Sequence, residues 1–336
     1  VKLRHLPFDV AIVDEASQCI LPYALIPCLM SKRWVLVGDH RQLEPLVLDA
    51  RAADFLTSWF DMAVRDLGEG GEAVMLDVQY RCPHEVGSFL SRHFYGSKLR
   101  NDEEAENHDH RPIEVDAAAA SNRINAKFSA AGLDMQMSPG QISILANPRN
   151  HLIFIDTAGR SRERGRKSKS NSGEAIVASE AMGILGQATS DMLFLSPYRA
   201  QNSLVRRMVA GDVRMGTIDS YQGRQADIVI LSLVRSNANG LLGFLRNVRR
   251  LNVAMSRCMK KLVVISDSAT IRMNRADLDA REVLMDYIRT SKELGTYICL
   301  ASQRADVVER ARRRELALRP GLRIGTTKRP AHEAGA

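Results

Sequence analysis

FDVAIVDEASQ (8–18) and WVLVGDHRQLEP (34–45) are the two stretches whose reading decides the fold. Each is a short continuous apolar run, Val10–Val13 and Trp34–Val37, that ends in acidic and amide side chains. Apolar runs of this length without alternation suit parallel strands covered on both faces. Polar residues just past such strands lie where open parallel sheets bind ligands. Pro22–Met30 is the short crossover between the two. Working outward, the same pattern returns at Leu152–Ile155, Met192–Leu195, Met215–Ile218, Ile228–Leu231 and Leu262–Ile265. Helical patterns fall at Asp49–Leu67, Pro83–Ser91, Gly173–Leu185, Asp279–Leu294 and Ser302–Leu318. The fold class is therefore α/β with parallel sheets: a first unit to about residue 72, a second from about 73 to 300, and a basic helix and disordered tail over 301–336. NDEEAENHDHR (101–111) reads as a solvated loop and RSRERGRKSKSN (160–171) as a mobile basic one.

The composition sets bounds. The chain has 336 residues, 45% hydrophobic, with 47 basic and 39 acidic side chains and a net charge of +8, a mild excess that suits a polyanionic partner without proving one. Cys19, Cys28, Cys82, Cys258 and Cys299 are odd in number and form no C-x-x-C pair, so neither a zinc site nor a disulfide framework is indicated. A reducing, cytoplasmic setting is expected. No apolar run reaches membrane-spanning length and no signal peptide is evident. A dinucleotide oxidoreductase is disfavoured because no G-x-G-x-x-G follows a strand.

The chemistry sits at the strand ends. Asp14 can bind magnesium and Glu15 can orient or deprotonate a water. Gln42 has both donor and acceptor groups, so it can sense a γ-phosphate and a water, while Asp39 supports magnesium or the loop. Arg81 in QYRCP and Arg250 and Arg257 in RRLNVAMSR offer planar, permanent charge that pairs with phosphate oxygens. Arg249 and Arg250 could instead pair with interdomain acids. In QGRQAD, Gln222, Gly223 and Gln225 form a loop able to approach a nucleotide, with Asp219 or Asp227 to hold it. In SPYRAQ, Ser196, Pro197, Tyr198, Arg199 and Gln201 are candidates for strand contact or base stacking; a strand-to-helix junction with a packed tyrosine explains that motif equally well. Solvated turns and surface arginines remain the plain alternative for each feature taken singly.

Taken together, DEASQ, GDHRQLEP, QYRCP, SPYRAQ, TIDSYQGRQAD and RRLNVAMSR resemble, in order, the motifs of superfamily 1 helicases, in the branch of the nonsense-decay RNA helicase and its DNA- and RNA-unwinding relatives. The resemblance runs from about Phe8 to Ser266. It implies two RecA-like domains closing on ATP and Mg²⁺, with Arg81 and Arg257 as arginine fingers and a single strand of DNA or RNA moved 5′ to 3′. Two departures stand out. The family usually has glutamate where Gln225 stands, and no G-x-x-x-x-G-K-[ST] loop occurs in the sequence. The expectation is a fragment with little activity alone, or a chain whose phosphate loop comes from a partner polypeptide. The alternative is a catalytically incomplete nucleic-acid-binding or regulatory subunit.

Overall fold

The computed structural model describes residues 8–46, 49, 51, 58–67, 72–103, 113–221 and 223–301. The helix expected at Ser302–Leu318 and the tail beyond it lie outside the described residues, as does most of the acidic stretch after Glu103. Residues 1–300 form one compact unit.

Strand β1 (Phe8–Val13), helix α1 (Leu21–Leu29) and strand β2 (Ser31–Leu36) make a parallel β-α-β unit. Pro22 in the first turn presets α1, and the crossover is as short as its sequence suggested. Val10 pairs with Arg33 and Val13 with Leu36, which brings Asp14 and the segment after Leu36 to the same edge. The cover on both faces that the sequence pattern suggested is not found on this small sheet: Ile12 is 70% exposed and Trp34 50%. Helix α2 (Trp59–Leu67) follows, shorter in the described residues than the helix expected from Asp49, and its Trp59 ring lies 4.8 Å from that of Trp34.

Strand β3 (Val78–Gln79), helix α3 (His84–Phe94) and strand β4 (Arg100–Asn101) form a second small parallel unit. Two helices absent from the sequence reading come next. Asp116 caps α4 (Ala117–Ala130) by accepting from the Ala119 N–H, and Ser138 with Gln141 closes a capping box on α5 (Pro139–Ala146).

The main sheet then runs through β5 (Leu152–Asp156), α6 (Ser172–Leu185), β6 (Met192–Leu195), α7 (Arg199–Arg206), β7 (Arg214–Gly216), β8 (Ala226–Ser232), α8 (Val248–Met255), β9 (Cys258–Ser266), α9 (Ser268–Met273), α10 (Leu278–Glu293) and β10 (Tyr297–Cys299). Its six strands are all parallel, in the order β10-β5-β9-β8-β6-β7. Alternate side chains serve two cores. Leu152, Phe154, Val229, Leu231, Leu262 and Val264 pack with α3, α8 and α10. Ile153, Ile155, Ile228, Ile230, Val263 and Ile265 pack with α4, α5 and α6. Burial on both faces explains why these strands read as unbroken apolar runs.

One expected boundary moves. The strand expected at Met215–Ile218 is Arg214–Gly216, and Ile218–Tyr221 turns into a 3₁₀ segment that buries Ile218. Helix α8 stops at Met255, so Arg257 stands at its exit, just before β9. Residues 160–171 form a loop, as expected, and within it Arg164 and Ser170 exchange backbone hydrogen bonds at 2.8 and 2.9 Å, closing a short hairpin turn.

Candidate nucleotide site

Asp14 and Glu15 leave β1 on the edge that β2 shares. Asp14 is exposed and its Oδ1 accepts the Glu15 N–H at 2.9 Å. Glu15 adopts φ 52°, ψ 35°, a left-handed conformation that costs a non-glycine residue. Its Oε2 accepts from Gln18 Nε2 at 2.8 Å. The tight backbone at Gly223, φ 73°, faces this carboxylate: a Cβ there would lie 4.0 Å from Glu15 Oε1. Gln222 lies outside the described residues.

At the end of β2, Asp39 and Gln42 are tied into a hydrogen-bond path that spans distant parts of the chain. Gln42 Nε2 donates to Asp39 Oδ2 at 2.7 Å, and Gln42 Oε1 accepts from Arg257 Nη2 at 3.0 Å. Only one amide orientation satisfies a carboxylate on one side and a guanidinium on the other. Asp39 Oδ2 also accepts from the Tyr95 hydroxyl at 2.6 Å, and that hydroxyl accepts from Asn252 Nδ2 at 3.0 Å. Asn252 Nδ2 reaches the Arg41 carbonyl as well. Arg257 Nε returns to the Val253 carbonyl of α8 at 2.8 Å. Burial and the charge of Asp39 push the Tyr95 phenol well up, so it stays a donor. Arg257 is only 2% exposed, and burial followed by the neighbouring Arg81 charge lowers its pKa.

Arg81 is placed by Gln79. The Gln79 Oε1 accepts the backbone N–H groups of Arg81 and Cys82 at 2.9 and 2.7 Å, while its Nε2 donates to the Cys82 carbonyl at 2.9 Å. The Arg81 side chain donates to Gln225 Oε1 at 2.9 Å and to the Ser256 carbonyl at 3.2 Å. A neutral amide at Gln225 leaves the Arg81 charge uncompensated, where a glutamate would pair with it. Glu15, Gln42, Arg81, Arg257, Gly223 and Gln225 thus converge, although they come from five separate stretches of sequence.

Arg250 does not join them. It pairs with Asp219 at 3.0 Å and lies over the Phe244 ring at 5.5 Å. Its neighbour Arg249 pairs with Glu44 at 3.0 Å and Asp61 at 3.2 Å, the acid pairing that the sequence left open for both.

The SPYRAQ reading needs correction. Ser196 and Gln201 are fully buried and Tyr198 is 3% exposed, so none offers a face to a strand. Gln201 accepts from the Asn171 N–H at 2.8 Å and donates to Ser232 Oγ at 3.0 Å. The Tyr198 hydroxyl accepts from Arg235, and its ring packs edge-on against Phe244. Arg199 is exposed and Pro197 half-buried at the same turn. The sequence reading missed Glu174, which lies beneath this junction: it is fully buried and accepts from Ser232 Oγ at 2.7 Å and Val234 N–H at 2.8 Å. Burial raises its pKa to about 8 against the pull of those two donors.

Among the described residues no group of three or more His, Cys, Asp or Glu side chains could hold a metal alone. The exposed Asp14 carboxylate nonetheless fits magnesium, a hard cation that binds through one or two carboxylates and completes its shell with water and phosphate oxygens. No described helix is long and apolar enough to cross a membrane.

A parallel α/β frame that gathers a strand-end carboxylate pair, an amide and two arginines is that of a RecA-like nucleotide-binding fold. Residues 56–269 match the model of an AAA domain, and residues 1–50 match a second AAA-domain model. DNA polymerase alpha-associated DNA helicase A of Schizosaccharomyces pombe is 34% identical over 286 residues, covering 81% of this chain and 39% of that protein. The mouse DNA replication ATP-dependent helicase/nuclease DNA2 is 35% identical over 278 residues, covering 79% of this chain and 25% of that protein. Mouse DNA-binding protein SMUBP-2 is 31% identical over 310 residues, covering 88% of this chain and 28% of that protein. The chain belongs to this AAA-domain family, within the nonsense-decay and DNA2-like branch of superfamily 1 helicases. It spans less than two-fifths of the length of these three relatives.

Proposed function

We propose that this chain is part of an ATP-dependent helicase that acts on single-stranded DNA or RNA, moving 5′ to 3′. The observation that carries the reading is the 3.0 Å hydrogen bond between Arg257 and Gln42, which sets a buried guanidinium on the amide that would sense the γ-phosphate. Residues 1–72 are read as part of a first RecA-like domain, 73–300 as the second and 301–336 as a basic extension. The phosphate loop would come from another segment or polypeptide.

In this reading Glu15 orients and deprotonates the attacking water, helped by the short tie from Gln18. Gln42 exchanges its Arg257 partner for a phosphate oxygen and the water. Arg257 and Arg81 then face the oxygens on which charge builds, the term that dominates phosphoryl transfer. Magnesium, when bound, would neutralise charge on the phosphate oxygens, and Asp14 would hold it with Asp39 in support. Gly223 lets the loop before β8 approach the nucleotide, and Gln225 steadies Arg81. Pro197 and Arg199 contribute strand contacts at the surface of the junction whose interior Ser196, Tyr198 and Gln201 build. Contacts of this kind read backbone rather than sequence.

The test is steady-state ATPase activity with and without single strands. The isolated chain is expected to turn over slowly or not at all. The longer protein should show strand-stimulated turnover within about 1–100 per second, and Arg257→Ala should remove most of it. Full turnover by a folded Arg257→Ala protein would overturn the reading.

A further inference from the structure

We infer that the basic hairpin 160–171 is a contact surface for the phosphate backbone of a single strand, an extension of the strand track beside Arg199. The inference rests on the proposed helicase reading for the edge along which the strand runs; the hairpin itself is argued from its own residues.

Between Arg160 and Lys169 there are six basic side chains and one acid, Glu163. That acid is turned inward. It pairs with the buried Arg235 at 2.9 Å and with Lys169 at 3.1 Å, and accepts the Ser236 N–H at 2.9 Å. Arg160 pairs with Asp134 at 3.5 Å. Arg162, Arg164, Arg166 and Lys167 are exposed, and none has an ion-pair partner among the described residues. The internal pairs thus consume the acid and leave a strip of four uncompensated cations.

The strip is held rather than loose. Its turn needs Gly165, at φ 97°, where a Cβ would lie 2.3 Å from the Ser168 carbonyl oxygen. Its base is Asn171, fully buried, bonded to Ser161, Gln201 and the Val234 carbonyl. Its tip is tied to α7: Ser168 Oγ accepts the Ala200 N–H at 3.0 Å. Tyr198, the N-cap residue of α7, makes no side-chain cap bond, so a serine from the hairpin satisfies that helix start instead. The hairpin follows the carboxyl end of β5 and α7 follows the carboxyl end of β6. In a parallel sheet both lie on one edge, the edge where ligands bind. The hairpin therefore crosses this edge and brings its cations beside Arg199.

The partner follows from the chemistry. Three guanidinium forks and an ammonium suit successive phosphates. No aromatic residue occurs from 160 to 171, so the hairpin offers no base stacking, and its contribution should be independent of sequence.

The experiment is fluorescence anisotropy of the full chain with single-stranded DNA and RNA oligomers across a salt series, using Arg162→Ala/Arg164→Ala/Arg166→Ala. The control is Arg149→Ala/Arg207→Ala/Arg275→Ala, which removes the same charge from exposed positions elsewhere. Each lost phosphate contact lowers the log–log salt slope by about 0.7 on a single strand. The hairpin triple is expected to weaken binding at least about tenfold at ~100 mM salt and to flatten the slope by about 2, with the control near wild type and circular dichroism unchanged in both. A hairpin triple that binds like wild type overturns the inference and leaves the helicase reading standing. Equal losses in the control overturn it too, because they report net charge alone. Loss confined to duplex DNA assigns the hairpin to another partner and overturns it. No single-strand binding by folded wild-type chain at low salt overturns both this inference and the strand track on which it rests.

Discussion

Glu174 should make this protein less stable as pH rises through neutrality. Its folded pKa of about 8 lies above the ordinary value of 4.5. Between those values the native state keeps a proton that the unfolded chain has released, so stability is full below about pH 4.5 and is lost as pH climbs through 8. At 1.36 kcal/mol per unit, the window corresponds to a ceiling of about 5 kcal/mol, with a slope near 1.4 kcal/mol per pH unit. The cause is burial first, with Asp267 and Glu163 adding to it; the Ser232 hydroxyl and Val234 N–H act against it. Glu174→Gln keeps an acceptor for those two donors and cannot ionise. Urea denaturation of both proteins at pH 5, 6, 7 and 8 isolates the residue, because titration of every other group cancels in the difference. The wild type should lose stability relative to the variant steadily over that range. Parallel profiles would show that Glu174 is ionised in the folded protein at pH 5 and would refute the argument.

Tyr95→Phe removes a buried hydroxyl that donates to Asp39 and accepts from Asn252, and should cost ~2 kcal/mol by denaturation; a loss under ~0.5 kcal/mol would mean the bond is not made. Arg257→Lys keeps charge but loses the planar fork, so turnover in the longer protein should fall much more than nucleotide-free strand affinity; equal losses would place Arg257 in the strand track instead. Glu15→Gln should bind ATP normally while turnover nearly stops, and retained full turnover would give the water-activating role to another group. Gly165→Ala should disrupt the hairpin turn and expose 164–170 to limited proteolysis, with the global melting temperature little changed; an unaltered digestion pattern would show that the turn tolerates the side chain.

What was legible in the sequence was local. Val10–Val13 and Trp34–Val37 are parallel strands in pattern, and Asp14, Glu15, Asp39 and Gln42 follow them at once; the cover on both faces that the pattern also suggested is missing. The helix at Leu278–Glu293 matched its expected span within a residue at either end because its apolar spacing is regular. Helix α4 was missed because four alanines in succession carry no face, and its cap, Asp116, stands alone; α5 had a capping box, but its eight residues are too few to show a period. The errors at the site came from partners far along the chain. Gln201 has the polarity of a surface contact, yet its partner Asn171 lies thirty residues away and draws it into the core. Tyr95 carried no signal, because its role depends on Asp39, fifty-six residues earlier.

The path from Asn252 through Tyr95, Asp39 and Gln42 to Arg257 starts on α8 and comes back to it at the Val253 carbonyl. It is a closed loop wired in series. Breaking one link interrupts all of them, so paired substitutions along it should cost scarcely more than single ones. A phosphate oxygen accepts from a guanidinium more strongly than an amide does. An anion that draws Arg257 away would therefore open the loop at Gln42, while Asn252 still holds α8 to Arg41 and Tyr95.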